Sequence, residues 1–442
     1  MSLLTVVLLA AIISPAPNSR QNVSADSAAE VTVAHPTESP NTAEAATRAP
    51  TKTLTLQQAV ALAEKNSPLL TEAAARMERA KADIQTASAY PNPTFEVLAG
   101  HQSARPIATP GVPGLLTHYS ATQPLEIPSE RRIRIRASKL GLSSTEYFAA
   151  GTMLSVVAEV EHAFYDVLRR KEGVDHAKEN LALVDDLRRR VAVRVKVGEA
   201  GKLELTRADA ELARARALVT VAKVELAKSQ ASLRAAMGVQ TQETLDPEGS
   251  LESRVKLPPL SELRPRVLAA HPALAEAKMK VAEAKTQVAD QRALRIPQPS
   301  IYGEYEHQPD LNFYRFGVIV PIPIWDRRKG PIGTAEAGER RAQAESKRRQ
   351  IEIIAALERS YDQYELMDKQ VKSLQAGSLY EAEAAVRAAR AAYKFGERGI
   401  LEVLDAQRVL QGVRDDLLDA MYGRQSALVD LEELGAVRLG GN

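Results

Sequence analysis

Val195-Lys-Val-Gly-Glu-Ala-Gly-Lys-Leu-Glu-Leu205 returns, about two hundred residues later, as Tyr393-Lys-Phe-Gly-Glu-Arg-Gly-Ile-Leu-Glu-Val403. A second landmark repeats at almost the same interval. Tyr90-Pro-Asn-Pro93, with Phe95 and His101-Gln102, returns as Ile296-Pro-Gln-Pro299, with Ile301 and His307-Gln308. Two landmarks sharing one interval indicate a duplicated unit, and a duplicated unit implies a large, symmetric assembly.

The repeated Gly-x-x-Gly segments punctuate long helices. No proline occurs from Ser129 to Val195 and helix formers dominate, so one helix of about 65 residues is expected, ~100 Å long at 1.5 Å per residue. The second copy repeats it from Ile332 to Phe395. Glycine can take the left-handed conformation that ends a helix, so Gly198 to Gly201 and Gly396 to Gly399 are expected to reverse the chain. A shorter helix then runs back to Met237-Gly238 and to Leu434-Gly435. Upstream, Leu56, Ala59, Val60 and Ala63 share one helical face, with Thr55 as a cap, and Asn66-Ser-Pro68 breaks that helix from the next.

Between these helices the period changes from 3.6 to 2. Phe95, Val97 and Ala99 alternate with Glu96 and Gly100, and Leu116 to Thr122 behaves alike. Ser300 to Gln308 and Phe313 to Pro321 are the equivalent strands, joined by Pro309-Asp-Leu-Asn312, whereas the first pair is joined by a Pro- and Gly-rich loop over Ala104 to Gly114. Tyr302, Tyr305, Phe313, Tyr314, Phe316 and Trp325 gather in or beside these segments, as aromatics do at a bilayer interface. Each unit is thus helix, strand, strand, long helix, tight turn, helix. Helices of this length suit antiparallel coiled coils rather than a globular core. Four strands per chain cannot close a membrane barrel, but the twelve from three chains can.

The 442 residues include 4% aromatics, a formal net charge of +2 and no cysteine. There is therefore no global field to recruit nucleic acid, no disulfide and no thiolate site. The seven histidines, at 35, 101, 118, 162, 176, 271 and 307, show no metal-ligand spacing. His101 and His307 are expected at strand ends near an outer rim. No phosphate loop, nucleophile elbow or distinctive carboxylate pair is present, so neither a cofactor nor an enzymatic activity is expected. Leu3 to Ile13 has the length of a signal-peptide core, and no apolar run is long enough to span a bilayer as a helix. The expected divisions are a signal peptide over 1–17, a flexible leader over 18–52, a first repeat over 53–238, a linker over 239–260, a second repeat over 261–436 and a tail over 437–442.

The order of elements, the duplication and the motifs together resemble the TolC-type outer-membrane efflux proteins, over roughly residues 53 to 436. Leu54-Thr-Leu-x-x-Ala-Val-x-x-Ala-x-x-x-Asn-Ser-Pro68 is similar to that family's amino-terminal signature, and Pro91-Asn-Pro93 to its approach to the first strand. Gln123-Pro-Leu-Glu-Ile-Pro128 with Arg131-Arg-Ile-Arg-Ile-Arg136 resembles the heavy-metal-efflux, CzcC-type branch. The resemblance implies a mainly α fold with a small β part. Duplicated long-helix hairpins would form a trimeric α-helical barrel in the periplasm, topped by a twelve-stranded β-barrel in the outer membrane. The implied role is a passive exit duct, serving an RND-type inner-membrane pump through a periplasmic adaptor. The departure from lipid-anchored relatives is the missing cysteine, which leaves anchoring to the barrel.

The turns would then form the periplasmic tip, with adaptor docking at Val197, Gly198, Gly201, Lys202, Leu203, Phe395, Gly396, Gly399, Ile400 and Leu401. Glu199, Glu204, Glu397, Arg398 and Glu402 would be gate charges, multiplied into rings by three-fold symmetry. Arg131, Arg132, Arg134 and Arg136 would meet lipid phosphate at the membrane interface, with Trp325 beside them. Two other classes compete: a periplasmic coiled-coil adaptor, and a soluble scaffold without a channel.

Overall fold

The computed structural model describes residues 52–103, 113–240 and 245–435. The expected signal peptide, most of the leader, most of the first hairpin loop and the tail lie outside the described residues.

The chain opens with a short strand β1 (Lys52–Leu54) and helix α1 (Leu56–Asn66). Thr55 caps α1 reciprocally with Gln58: the hydroxyl accepts from Gln58 N at 3.3 Å, and the Gln58 carboxamide oxygen accepts from Thr55 N at 3.1 Å. Pro68 then starts α2 (Pro68–Ser88), since proline fits the first helical position but cannot continue the preceding helix. The second copy uses the same device: α5 (Leu260–Ala270) stops at His271, and Pro272 starts α6 (Pro272–Ala293).

Helix α3 (Pro128–Lys196) runs 69 residues without a break, and α4 (Lys202–Ala236) returns beside it. Its buried side chains Val156, Val160, Phe164, Val167, Val174, Val184 and Val191 are spaced by three, four, seven or ten residues, the period of a long packed seam. In the second copy the rod is divided into α7 (Lys329–Ser373), a π-helical turn over Leu374–Ser378, and α8 (Leu379–Lys394), with α9 (Ile400–Glu433) returning.

The uninterrupted second helix expected from composition is therefore corrected, and the duplication supplies the reason. Val156, Val160, Val167 and Val174 match Ile353, Leu357, Tyr364 and Val371 at one constant interval; Val184 and Gly198 match Ala382 and Gly396 at an interval one residue longer. The second copy holds one extra residue, and a wider turn absorbs it without breaking the rod.

Strands β2 (Thr94–Gln102), β3 (Gly114–Pro124), β5 (Ser300–Gln308) and β6 (Leu311–Ile319) form an antiparallel sheet in the order β2-β3-β5-β6. Leu311 pairs with Gln308, so the second hairpin turns over Pro309-Asp310 alone and β6 starts two residues before its expected position. Backbone pairing continues there past the aromatic alternation that marks the strand in sequence. Strand β4 (Leu245–Pro247) pairs parallel with β1. After it, the link between copies is clasped to α9. Buried Arg424 donates to the carbonyls of Leu251 (3.2 Å) and Glu252 (3.1 Å), and the Gln425 amide donates to Ser253 O at 2.7 Å.

Candidate functional site

At one end of the molecule lie the two chain reversals. Gly198 and Gly396 have φ of +84° and +78°, the left-handed region where a side chain costs roughly 1–2 kcal/mol. In each turn the following glutamate amide reaches back to the last helical turn: Glu199 N donates to Arg194 O (2.8 Å) and Glu397 N to Ala392 O (2.9 Å). Gly198 N and Gly396 N close the inner bonds to Val195 O and Tyr393 O, so both helices end in the same double-bonded cap. Val197, Leu203, Phe395 and Leu401 are exposed apolar groups on these turns, with Phe395 76% exposed. Gly201, Lys202 and Gly399 are exposed as well.

Ile400 differs. It is 1% exposed and packs with Val191, Ala208, Tyr393, Val403 and Leu404, so it fastens the second turn to the first hairpin and offers no docking surface. That corrects its assignment.

The expected gate charges are divided among several environments. Glu199 lies 3.8 Å from Arg194, within its own turn. Glu397, Arg398 and Glu402 are exposed, and Glu204 is half-buried with one carboxylate oxygen lacking a hydrogen-bond partner among the described residues. The group that joins the two hairpins is one the sequence reading passed over. The Arg194 guanidinium sits 4.9 Å from the centroid of the Tyr393 ring and donates to Tyr393 O at 3.5 Å. Both residues begin or flank the repeated segments, which is the signal that could have found them. Above this contact is a cleft of about 550 Å³ lined by Leu187, Arg190, Arg194, Arg390, Tyr393 and Lys394, a cationic margin on an apolar floor.

The arginines after β3 serve the fold. Arg131 donates twice to Ser88 O (3.1 and 2.6 Å) and lies over the Tyr90 ring. Arg134 donates to Ala87 O (2.9 Å) and Ala89 O (3.2 Å) and pairs with Glu126. These two side chains hold the open carbonyl end of α2, where positive charge also meets the negative end of the helix dipole. They are therefore engaged with protein. Arg132 bonds its own helix at Pro128 O, and Arg136 is exposed. Trp325 is 91% exposed, at the end of the apolar run Ile319-Val320-Pro-Ile322-Pro-Ile324.

At the other end the sheet separates two chemistries. Paired residues share a face, so Phe95, Ala121, Gly303 and Phe316 form one row, and Val97, Tyr119, Tyr305 and Tyr314 the next. The three tyrosines are in ring contact along their row, and Phe316 is 85% exposed. The opposite face carries Glu96, Ser120, Glu304 and Arg315 in one row and Leu98, His118, Glu306 and Phe313 in the next. Here His118, Glu304 and Glu306 side chains are only 22%, 17% and 24% exposed, as on the concave side of a curved sheet. Arg315 bonds both Glu304 and Glu306, the latter at 3.0 Å. Three carboxylates against one guanidinium leave this face acidic. His307 Nδ1–H donates to Asn312 Oδ1 at 2.6 Å beside the hairpin turn, at the sheet end away from the helices. Among the described residues no cluster of three or more His, Asp or Glu could hold a metal, and no helix is long and apolar enough to cross a membrane.

The sheet thus has one apolar and one acidic face, and the chain joins it to long helical hairpins. The chain is 26% identical over 388 residues to the cobalt-zinc-cadmium resistance protein CzcC of Cupriavidus metallidurans, covering 86% of this chain and 90% of that protein. It is 27% identical over 326 residues to the nickel-cobalt-cadmium resistance protein NccC of Alcaligenes xylosoxydans xylosoxydans, covering 73% and 72%. Among solved structures, CusC superposes with a TM-score of 0.73 at 20% identity over 86% of this chain and 91% of that one. The CmeC outer membrane channel of Campylobacter jejuni superposes at 0.75 with 18% identity, over 86% and 85%. The outer membrane efflux protein family matches residues 59–239 and 263–436, one block for each copy of the repeat. The chain belongs to that family and is an efflux channel of the outer membrane, with its helices in the periplasm.

Proposed function

We propose that three copies of the chain assemble into a passive exit duct for divalent heavy-metal cations, fed by a periplasmic adaptor and an RND-type inner-membrane pump. The observation that carries this reading is the sheet: two unpaired edges, an apolar face and an acidic concave face. An isolated four-stranded sheet cannot sit in lipid with bare edges, whereas twelve strands close. Once closed, the concave face lines the water path, and three copies of Glu96, Glu304 and Glu306 favour cations over anions there. The curated relatives are resistance proteins for cobalt, zinc, cadmium and nickel, in keeping with a cationic cargo.

At the periplasmic end, Val197, Leu203, Phe395 and Leu401 form the adaptor-docking surface, with Gly198, Gly201, Lys202, Gly396 and Gly399 shaping it. Glu199, Glu204, Glu397, Arg398 and Glu402 act as gate charges between copies. Trp325 marks the outer-membrane interface.

The test is expression of the chain with an adaptor and an RND-type pump from the same source in a metal-sensitive host, alongside the native mass of the detergent-extracted protein. Metal tolerance that needs all three proteins, with a trimeric mass, is the expected result. A monomeric mass, or tolerance unchanged when this chain is omitted, would overturn the proposal.

A further inference from the structure

The two copies diverge where each sheet hairpin hands the chain to its long helix. At the interval that relates Val156 to Ile353, Leu125 matches Ile322, Pro128 matches Trp325, Glu130 matches Arg327 and Arg132 matches Lys329. On the approach side Tyr90-Pro91 matches Ile296-Pro297, so Arg295 stands where the first copy has Ala89. In the first copy the charges of this junction are used inside the protein. Glu130 is buried and accepts from the Gln298 amide, Glu126 pairs with Arg134, and Arg131 holds Ser88 O.

The second copy has the opposite chemistry. Pro323 and Arg327 replace the carboxylates of Glu126 and Glu130, which leaves Asp326 as the one acid beside Arg295, Arg327, Arg328 and Lys329. Asp326 is itself engaged: its Oδ1 accepts from Arg328 N at 2.8 Å, where Arg328 has a φ of +56°, the one non-glycine residue in the left-handed region among the described residues. Arg328 donates to Gln291 at 2.8 Å, and its Nε has no partner among the described residues. Arg295 Nε donates to Arg327 O at 3.3 Å, which ties the two basic segments together. Arg295, Arg327 and Lys329 are exposed and make no ion pair among the described residues.

The order along the chain is a separate observation. Beyond the helix-side end of β6, Ile322 is 75% exposed, Ile324 58% and Trp325 91%, and the cations follow directly. A chain leaving a bilayer meets acyl chains first, then the interfacial zone that indole favours, then phosphates that attract Lys and Arg. Ile324, Trp325 and Arg327-Arg-Lys329 come in that order on the way to the periplasmic helices.

We infer that this junction binds the headgroup of an anionic phospholipid in the periplasmic leaflet of the outer membrane, with Arg295, Arg327 and Lys329 at the phosphate and the Trp325 indole on the adjoining acyl chain. A zwitterionic headgroup would bring its own ammonium to a site that is already cationic, whereas an anionic one brings none. The junction of the first copy, with its carboxylates buried and its arginines engaged, offers no such site. The inference rests on the interface reading of Trp325 given above and deepens it to a class of lipid; it requires no particular oligomer.

Trp325 is the single tryptophan of the chain, so its emission reports this junction alone. The full-length protein is placed in nanodiscs of phosphatidylcholine with a rising share of phosphatidylglycerol brominated near the head of one acyl chain, since bromine quenches indole on contact. A matched titration uses brominated phosphatidylcholine. Half-quenching is expected at a share of the anionic lipid at least about fivefold lower, the factor that one surface cation supplies, and the gap should narrow as salt is raised. Arg327→Gln with Lys329→Gln should bring the two titrations together with quenching retained, and Arg327→Lys with Lys329→Arg should keep them apart. Equal quenching by both lipids in the unsubstituted protein, or a preference that survives Arg327→Gln with Lys329→Gln, would overturn the headgroup site while leaving Trp325 in the membrane. Quenching by neither lipid would mean that protein covers the indole, and would overturn the interface reading itself.

Discussion

Single side chains in the helical part carry charge states that packing dictates. Glu161 of α3 is buried, and burial first, then the charge of Glu432, pushes its carboxyl up to about 7, with His162 opposing. The folded chain thus keeps a proton that the unfolded chain releases above its ordinary carboxylate pKa. The stability this contributes is complete below that ordinary value and is lost as pH rises toward 7. Thermal melting of the helical signal in detergent should therefore fall between pH 5 and pH 8, and Glu161→Gln should flatten the decline by on the order of 1–3 kcal/mol. Equal slopes for the two proteins would refute the assignment. At the tip, Gly396→Ala forces a side chain into the left-handed region and should cost roughly 1–2 kcal/mol, read as a lower melting temperature. The exposed Gly412 in the middle of α9 has no such constraint, and Gly412→Ala should be neutral or stabilising by up to about 1 kcal/mol.

Elements show which contacts serve architecture and which remain for partners. Arg131 and Arg134 close the end of α2, so Arg131→Ala with Arg134→Ala should destabilise the chain by on the order of 2–4 kcal/mol through lost charge-assisted bonds. Retention of outer-membrane yield and melting temperature would return these side chains to a lipid role. The π-helical turn keeps α8 in phase with α9 despite the extra residue. Deleting Gly377 removes the absorbed residue, so the wider turn should close to an ordinary α-helical one, as in α3, with the faces below it still in phase. Retained metal tolerance with trimeric mass is the expected outcome; loss of tolerance with trimeric mass and barrel insertion intact would mean the wider turn does more than absorb the extra residue. Leu203→Asp with Phe395→Asp changes only exposed turn residues. It should abolish adaptor co-purification and tolerance while leaving the mass unchanged.

The whole molecule turns one duplicated unit into a vessel with distinct ends. With Glu304→Gln and Glu306→Gln, six carboxylates leave a trimeric water path, and Arg315 is left without its partners. In planar bilayers under a salt gradient, the reversal potential should move from cation-selective toward, or past, neutrality, with conductance retained. An unchanged reversal potential would place selectivity elsewhere, at the tip. The same scale explains why so much apolar surface is bare in one chain: Phe95, Tyr314, Phe316 and Val318 face what surrounds a barrel, not a core.

Much of this was legible in the residues alone, because periodicity and punctuation are local. The absence of proline implied a single rod over α3, Gly198 and Gly396 implied the reversals, and period-two aromatics implied the hairpins. Their order, with the motifs at Leu54 to Pro68 and Gln123 to Arg136, carried the resemblance to the family. Other features depend on what lies opposite in space. Ile400 reads as an exposed turn residue until Tyr393 and Val191 are seen to cover it, and Arg131 reads as a membrane anchor until the carbonyl of Ser88 is found in its reach. Composition carried no sign of the π turn, which appears only when two copies of unequal length must present the same faces to the same neighbours. Sequence by itself determined the elements and their duplication, since those follow from backbone preference and spacing. Only the tertiary structure decided which charges are engaged, which apolar groups are covered and which edges are left open, since those follow from distance.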